Sequence, residues 1–330
     1  MAVAANTNKT YDVTTIREDL SEAMASISPT DSLLMSTIGS RNVDNTYYEW
    51  SEVDLAAVDT SNRQLEGDAL GNSAPTNAVR KGGYTQISAK VSETSSTANS
   101  VNGVASAQTT AKQIAYKLQE LKRDMESMLL DNTAANAGAA GTARATAGLP
   151  AYLTTNVNRG TGGANGTTSG TGEAGFVNAA ATDGTLRPIT EALLKGVIAD
   201  CWNEGATPSV VMCGSAQKQK ISTFTGNATR FKEAEDAKLS AAIDVYVSDF
   251  GELQIVPNRR MRTRTVSSVD YTPDVLVLDP SYAEVVYLQT AKQEPLAKTG
   301  LSERRLISCE YGLQVTSQKA HGIVADINAS

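Results

Sequence analysis

Histidine is almost missing from this sequence: His321 is the only one in 330 residues. A histidine-based triad or a multi-histidine metal site within one copy is therefore excluded. In "QKAHGIV" the residue reads as a turn histidine between two strands. Cysteine is scarce too. Cys201, Cys213 and Cys309 show no CxxC spacing, and an odd, scattered set reads as buried free thiols in a reducing cytosol rather than a disulfide framework. Aromatic residues make up 5%, with four Phe and two Trp, against 41% hydrophobic residues overall. The core must then be built from aliphatic and small side chains, which suits a thin, extended protein better than a compact enzyme with a deep pocket. No apolar run approaches the ~20 residues of a membrane span, and "MAVAANTNKTYDVT" lacks the apolar stretch of a secretory signal. The expectation is a soluble protein made in a cytoplasm. A net charge of −7 argues against a wholly basic, nucleic-acid-binding surface but leaves local basic patches open.

Motif-like strings are present, and each lacks its context. "GTGEAG" (Gly170 to Gly175) matches a dinucleotide fingerprint as letters, yet a Gly/Thr/Ser run precedes it where the chemistry needs a strand. "DFG" (Asp249 to Gly251) has no companion kinase elements and reads as a hairpin turn. Glu66 and Asp68 lack the ligand rhythm of a calcium loop. No cofactor or metal is expected. The densest basic cluster, "NRRMRTRT", holds Arg259, Arg260, Arg262 and Arg264. It could track phosphates or meet an acidic partner surface, and no aromatics are interleaved to favour nucleic acid.

The organisation is clearer than the chemistry. Ile16, Leu20, Met24 and Ile27 lie at helical spacing before Pro29, and "SPTDSLLMSTIG" reads as a turn, a short helix and a glycine stop. "TYYEWSEVDLAA" (from Thr46) and "GGYTQISAKVSETSS" (from Gly82) read as strands, the second alternating with Thr85, Ile87, Ala89 and Val91 on one face. The connection from Val58 to Lys81 is longer than the ~12–15 residues that compact domains usually hold without structure. Most of "QLEGDALGNSAPTNAVRKGG" lies within it, acidic at one end and basic at the other. A long amphipathic helix follows, with Ala111, Ile114, Leu118, Leu121, Met125, Met128 and Leu129 as its stripe. Lys112, Lys117, Glu120, Lys122, Asp124 and Glu126 form a solvated or interface face. From Thr133 to Thr185 the chain is rich in Gly, Ala, Thr and Asn and reads as a flexible insertion. Thereafter the pattern is mixed. A helix runs through "ITEALLKGVIADCW". "SVVMCG" is a buried strand, and a short helix begins at Ser215. "DVYVSDFGELQIVP" is a hairpin and "DVLVLDPSYAEVVYLQ" a strand pair. "ERRLISCEYGLQVTSQKAHGIVADI" is a long strand and its return.

In this order, "REDLSEAMASISPTDSLLMSTIG", "TYYEWSEVDLAA", "QLEGD", "GGYTQIS", "ELKRDMESMLL", "VLVLDPSYAEVVYLQ", "LAKTGLSERRLISCEYGLQV" and "KAHGIVADI" resemble the major capsid (major head) proteins of tailed bacteriophages with the Hong Kong 97-type fold, over nearly the whole chain. The resemblance implies an α+β fold with an N-terminal arm (1–45), an extended β-hairpin loop (46–98) and a peripheral domain (99–185). That domain would carry a spine helix over 105–132 and the insertion 134–185. An axial domain (186–290) and return strands of the peripheral domain (291–330) would follow. It implies a structural, non-enzymatic protein of the virion. Copies would form pentamers and hexamers of an icosahedral head around double-stranded DNA, assembled in the host bacterial cytoplasm. A separate scaffolding protein, a portal and a possible decoration protein are the further partners expected, without a large propeptide. Lys81, Lys90, Asn72 and Asn77 match no cross-linking motif.

The segregation of charge along the loop points to contacts between subunits. Glu49, Glu52, Asp54, Asp59, Glu66 and Asp68 on the first limb and tip, and Arg80, Lys81 and Lys90 on the return, are expected to pair with opposite charges on neighbours, with the arginine cluster as a further contact. An encapsulin-like cellular compartment is the alternative within the same fold. A surface adhesin would need repeats or a signal, and neither is present. An enzyme is the reading with least support in these residues.

Overall fold

The computed structural model describes residues 31–67, 72–101, 109–224, 245–261, 264–266, 269–271, 273–298 and 300–328. The helix expected at 16–27, Asp68 and Arg262 lie outside them. In chain order the elements begin with α1 (Leu33–Thr37), β1 (Gly39–Asn42), β2 (Tyr47–Glu52), β3 (Val79–Tyr84), β4 (Gln86–Ser95), α2 (Ser96–Ser100), α3 (Thr110–Leu130) and α4 (Leu149–Tyr152). The middle of the chain gives β5 (Val157–Asn158), β6 (Thr167–Thr168), β7 (Val177–Ala179), α5 (Glu191–Asn203), β8 (Val210–Cys213) and α6 (Ser215–Ile221). β9 (Val245–Ser248), β10 (Gly251–Pro257), β11 (Arg264–Val266), β12 (Val269–Tyr271), β13 (Val275–Leu278), β14 (Ala283–Pro295), β15 (Ser302–Val315) and β16 (Gly322–Val324) complete the order.

Two sheets organise the molecule. A four-stranded sheet has the order β1-β14-β15-β4, and a six-stranded sheet the order β5-β16-β13-β8-β10-β9. The spine helix α3 packs across β4 and β15, burying Leu121, Met125 and Leu129 in one core with Tyr311 and Leu313. Thr110 N–H at its start donates to Asn99 Oδ1 at 3.1 Å, so the first turn is tied to α2 rather than capped by Thr109. The six-stranded sheet is covered on both faces. Val211, Cys213, Val275 and Val277 meet Leu194, Val197 and Ile198 of α5, while Met212, Leu276 and Leu278 turn to the core shared with α3. Burial on both faces is why "SVVMC" and "DVLVL" read as unbroken apolar runs. Thr190 starts α5, its hydroxyl accepting from Leu193 N at 3.4 Å, and Gly205 at φ +93° ends it.

Several expectations are corrected. "GGYTQISAKVSETSS" is two strands: at Thr85, fully buried, the chain leaves the β2 ribbon for the four-stranded sheet. Thr85 N–H donates to Thr46 O at 2.9 Å and its hydroxyl to Glu310 Oε1 at 2.7 Å. The alternation within β4 is real, but the apolar side faces out. Ile87 is 61% and Val91 45% exposed, whereas Ser92 and Thr94 are buried. "DVLVLDPSYAEVVYLQ" is not a paired hairpin, because the Pro280 corner carries the chain from β13 in one sheet to β14 in the other. β14 therefore crosses the expected boundary at residue 290, and β16 joins β13 rather than returning along β15.

The Gly/Ala/Thr segment 133–185 is built, not loose. β6 pairs with β7, and bridges join Asn136 to Ala145 and Ala164 to Thr182. A Cβ on Gly160 would fall 2.0 Å from Thr185 O, and one on Gly184 2.3 Å from Gly160 O. Small residues there allow backbones to touch.

Candidate functional site

The extended loop rises from a ribbon in which Tyr47 opposes Tyr84 and Glu52 opposes Val79. "GTGEAG" proves to be the turn between β6 and β7, with Gly172 at φ +64° and Glu173 at φ +65°. No helix follows it, so it offers no phosphate cradle. Instead it docks on the ribbon by one isolated parallel bridge: Gly82 N donates to Gly175 O at 2.8 Å, and Gly175 N to Arg80 O at 2.9 Å.

Tyrosines anchor the ribbon's base. Tyr48 Oη donates to Leu313 O at 2.7 Å, and Tyr152 Oη donates to the same carbonyl at 3.1 Å. Tyr48 stacks on Trp50 at 6.0 Å, and Trp50 lies 6.4 Å from Tyr152. Burial pushes both phenols well above their ordinary value.

Several of the loop's charges have partners within the chain itself. Glu49 pairs with Arg80 and Glu52 with Lys81. The antiparallel register sets Glu49 diagonal to Arg80 and Glu52 diagonal to Lys81. Lys81 Nζ also meets Glu173 Oε2 at 2.8 Å. Glu173 Oε1 accepts from Thr154 Oγ1 and Gln318 Nε2, each at 3.1 Å. Burial alone would lower the Lys81 ammonium and raise the Glu173 carboxyl. Their mutual hydrogen bond and opposite charges overcome it, so Lys81 lies above and Glu173 below its ordinary range. Asp54 meets Lys319 at 2.9 Å, and Lys319 also reaches Glu204 after α5 at 3.7 Å. Lys90 reaches Asp124 on the spine helix at 2.6 Å.

Other expected contact residues are placed differently. Asp59 Oδ1 accepts from Ser61 N at 2.8 Å, closing a local turn, and Glu66 is exposed. Arg259 and Arg260 form a turn after β10, beside Asp124 and Asp131 of the spine helix. Arg264 begins β11, so the run "NRRMRTRT" is split between a turn and a strand. Beyond the ribbon, the loop's apolar residues lack cover: Val53 is 54%, Leu55 85%, Val58 91% and Leu65 79% exposed.

Glu126, Glu173 and Lys319 escaped the sequence reading. Glu126 was expected on the polar face of α3 and is fully buried. Nothing in local spacing marks Glu173 or Lys319, whose partners are remote in sequence. Among the described residues, no group of three His, Cys, Asp or Glu is placed to hold a metal, and no helix is long and apolar enough to cross a membrane. Cys201, Cys213 and Cys309 are free and buried, and burial pushes their thiols up to about 12, 12 and 11. His321 Nδ1 accepts from Asp279 N at 3.3 Å, and burial pushes this imidazole down to about 4.

Comparison with known proteins agrees with this architecture. The chain is similar to the major capsid protein of Escherichia phage Phieco32, 32% identical over 108 residues. That alignment covers 33% of this chain and 31% of the relative, so the match spans about a third of the relative's length. Among solved structures, the capsid of an empty GTA particle superposes with a TM-score of 0.62 at 12% identity, covering 98% of this chain and all of the other. A chain of Gordonia phage Cozz gives 0.60 at 11% identity, covering 99% and 98%. The holo-SrpI encapsulin complex from Synechococcus elongatus PCC 7942 gives 0.56 at 11% identity, covering 96% and 94%. These likenesses establish the Hong Kong 97-type fold. The family model for the SU10 major capsid protein matches residues 5–328, and the chain belongs to that family of structural capsid proteins.

Proposed function

We propose that this chain is the shell-forming subunit of a tailed-phage head, in which copies assemble as pentamers and hexamers of an icosahedral shell around double-stranded DNA. Its role is structural, not catalytic. The observation that carries this reading is the loop 53–67, which leaves Val53, Leu55, Val58 and Leu65 exposed above a ribbon held firmly at its base. Apolar side chains presented together on a fixed arm favour cover by another molecule. A second copy is the partner that family membership supports. The acids on this arm that make no ion pair among the described residues, Asp59 and Glu66, are the proposed charged contacts, joined by Asp68 on the sequence argument. Glu49, Glu52, Asp54, Arg80, Lys81 and Lys90 orient the arm, and Arg259 is the proposed contact to a neighbour or to DNA phosphates.

In this reading assembly takes place in the host bacterial cytoplasm, with a separate scaffolding protein and a portal. An encapsulin-like compartment shares the fold, but the capsid family match favours the phage head. Electron microscopy of the full-length protein, expressed with its scaffolding partner, tests the proposal. Closed shells or five- and six-membered capsomers support it; a dispersed monomer at high concentration would overturn it.

A further inference from the structure

Glu126 sits near the C-terminal end of the spine helix with its side chain fully buried. Among the described residues no lysine or arginine pairs with it. Its carboxylate is instead held by neutral donors from two distant parts of the chain. Leu34 N donates to Oε1 at 2.6 Å and Met35 N to Oε2 at 3.0 Å, both from α1. Asn258 Nδ2 donates to Oε1 at 2.8 Å from the end of β10.

Asn258 passes the contact on. Its own carbonyl oxygen accepts from Arg260 N at 2.8 Å, which closes the turn that carries Arg259 and Arg260. Its backbone N–H is fixed to Cys213 O at 2.9 Å. A continuous chain of hydrogen bonds therefore runs from the α1 backbone, through one carboxylate, to the arginine turn.

A buried carboxyl group held by neutral donors depends on each of them. Removing the donor on one side leaves a buried oxygen short of a partner and weakens the hold on the other. We propose that Glu126 is a coupling joint: docking of residues 33–38 on the spine helix and placement of the Arg259–Arg260 turn form one cooperative event. By linkage the effect is reciprocal, so a neighbour or phosphate that draws the arginine turn away also loosens α1. Two segments remote in sequence, α1 and the arginine turn, would thus respond to each other during assembly.

Hydrogen exchange on the full-length protein tests this. Asn258→Ala touches neither Leu34 nor Met35, yet the joint requires exchange of the 33–36 amides to quicken by about ten-fold or more, with β13 (275–278) still protected. Should the variant lose β13 protection as well, Glu126→Gln decides. It keeps the side-chain volume and one acceptor oxygen, and it must loosen 33–36 and 258–261 together. Unchanged exchange at 33–36 in Asn258→Ala with β13 intact, or loosening of only one segment in Glu126→Gln, would overturn the proposal.

Discussion

The Tyr48 hydroxyl lies 2.5 Å from the point a Cβ on Gly312 would occupy, and 2.6 Å from the corresponding point on Gly83. Two glycines from different strands thus make room for one ring, and the ring's hydroxyl bonds the Leu313 carbonyl. Gly312→Ala should lower the unfolding free energy by about 1–3 kcal/mol through overpacking. Tyr48→Phe alone should cost about 1 kcal/mol for the lost hydrogen bond. Because the phenylalanine removes the nearest clashing atom, the double variant should be less destabilised than the sum. Urea unfolding of the three variants measures this; strict additivity would contradict the packing argument.

Lys81→Met leaves Glu52 and Glu173 without their ammonium. Both are partly exposed, so the cost at neutral pH should be about 2 kcal/mol rather than that of a fully buried pair. The sign with pH follows from the carboxyl. Glu173 is held below its ordinary range in the native protein, so its contribution is present above the ordinary glutamate pKa and is lost as pH falls through the native value. The gap between native and variant should therefore shrink on acidification. A gap that grows from pH 7 toward pH 3 would be inconsistent with the cluster.

His321 gives a second pH signature. Its imidazole is neutral in the fold at about 4, against an unfolded value near 6.5. Stability is full above that unfolded value and falls as pH drops from it toward 4, by about 3 kcal/mol in total. His321→Gln should flatten this slope in thermal melts between pH 7 and 4.5. An unchanged slope would mean that the acid sensitivity lies elsewhere.

Much of this arrangement could be read from the sequence. "TYYEW" and "GGY" mark the ribbon, and the α3 stripe marks the spine. What escaped detection depends on distant partners. Glu126 has the spacing of a surface residue and is buried because α1 and Asn258 arrive from elsewhere in the chain. Ile87 and Val91 alternate as a core face would, yet β4 turns its serine and threonine side inward and sets Lys90 against Asp124. The segment 133–185 looks loose because small residues signal mobility in isolation, whereas here they permit backbone contact. The loop's charge segregation was visible, but only the ribbon register reveals that its two limbs satisfy each other.

Glu66 and Asp68 are the tip acids for a charge test. Reversal of both to lysine should reduce shell yield while leaving the unfolding free energy of the unassembled protein within about 0.5 kcal/mol of native. Unaltered particle yield would remove these two residues from the contact.

The central claim is that the loop's apolar residues are covered by another copy. Hydrogen exchange of residues 53–67, compared between unassembled protein and purified shells, tests it most directly. Strong protection of this segment upon assembly, while the already paired β2 and β3 change little, is the predicted result. Exchange equally fast in both states would contradict the account.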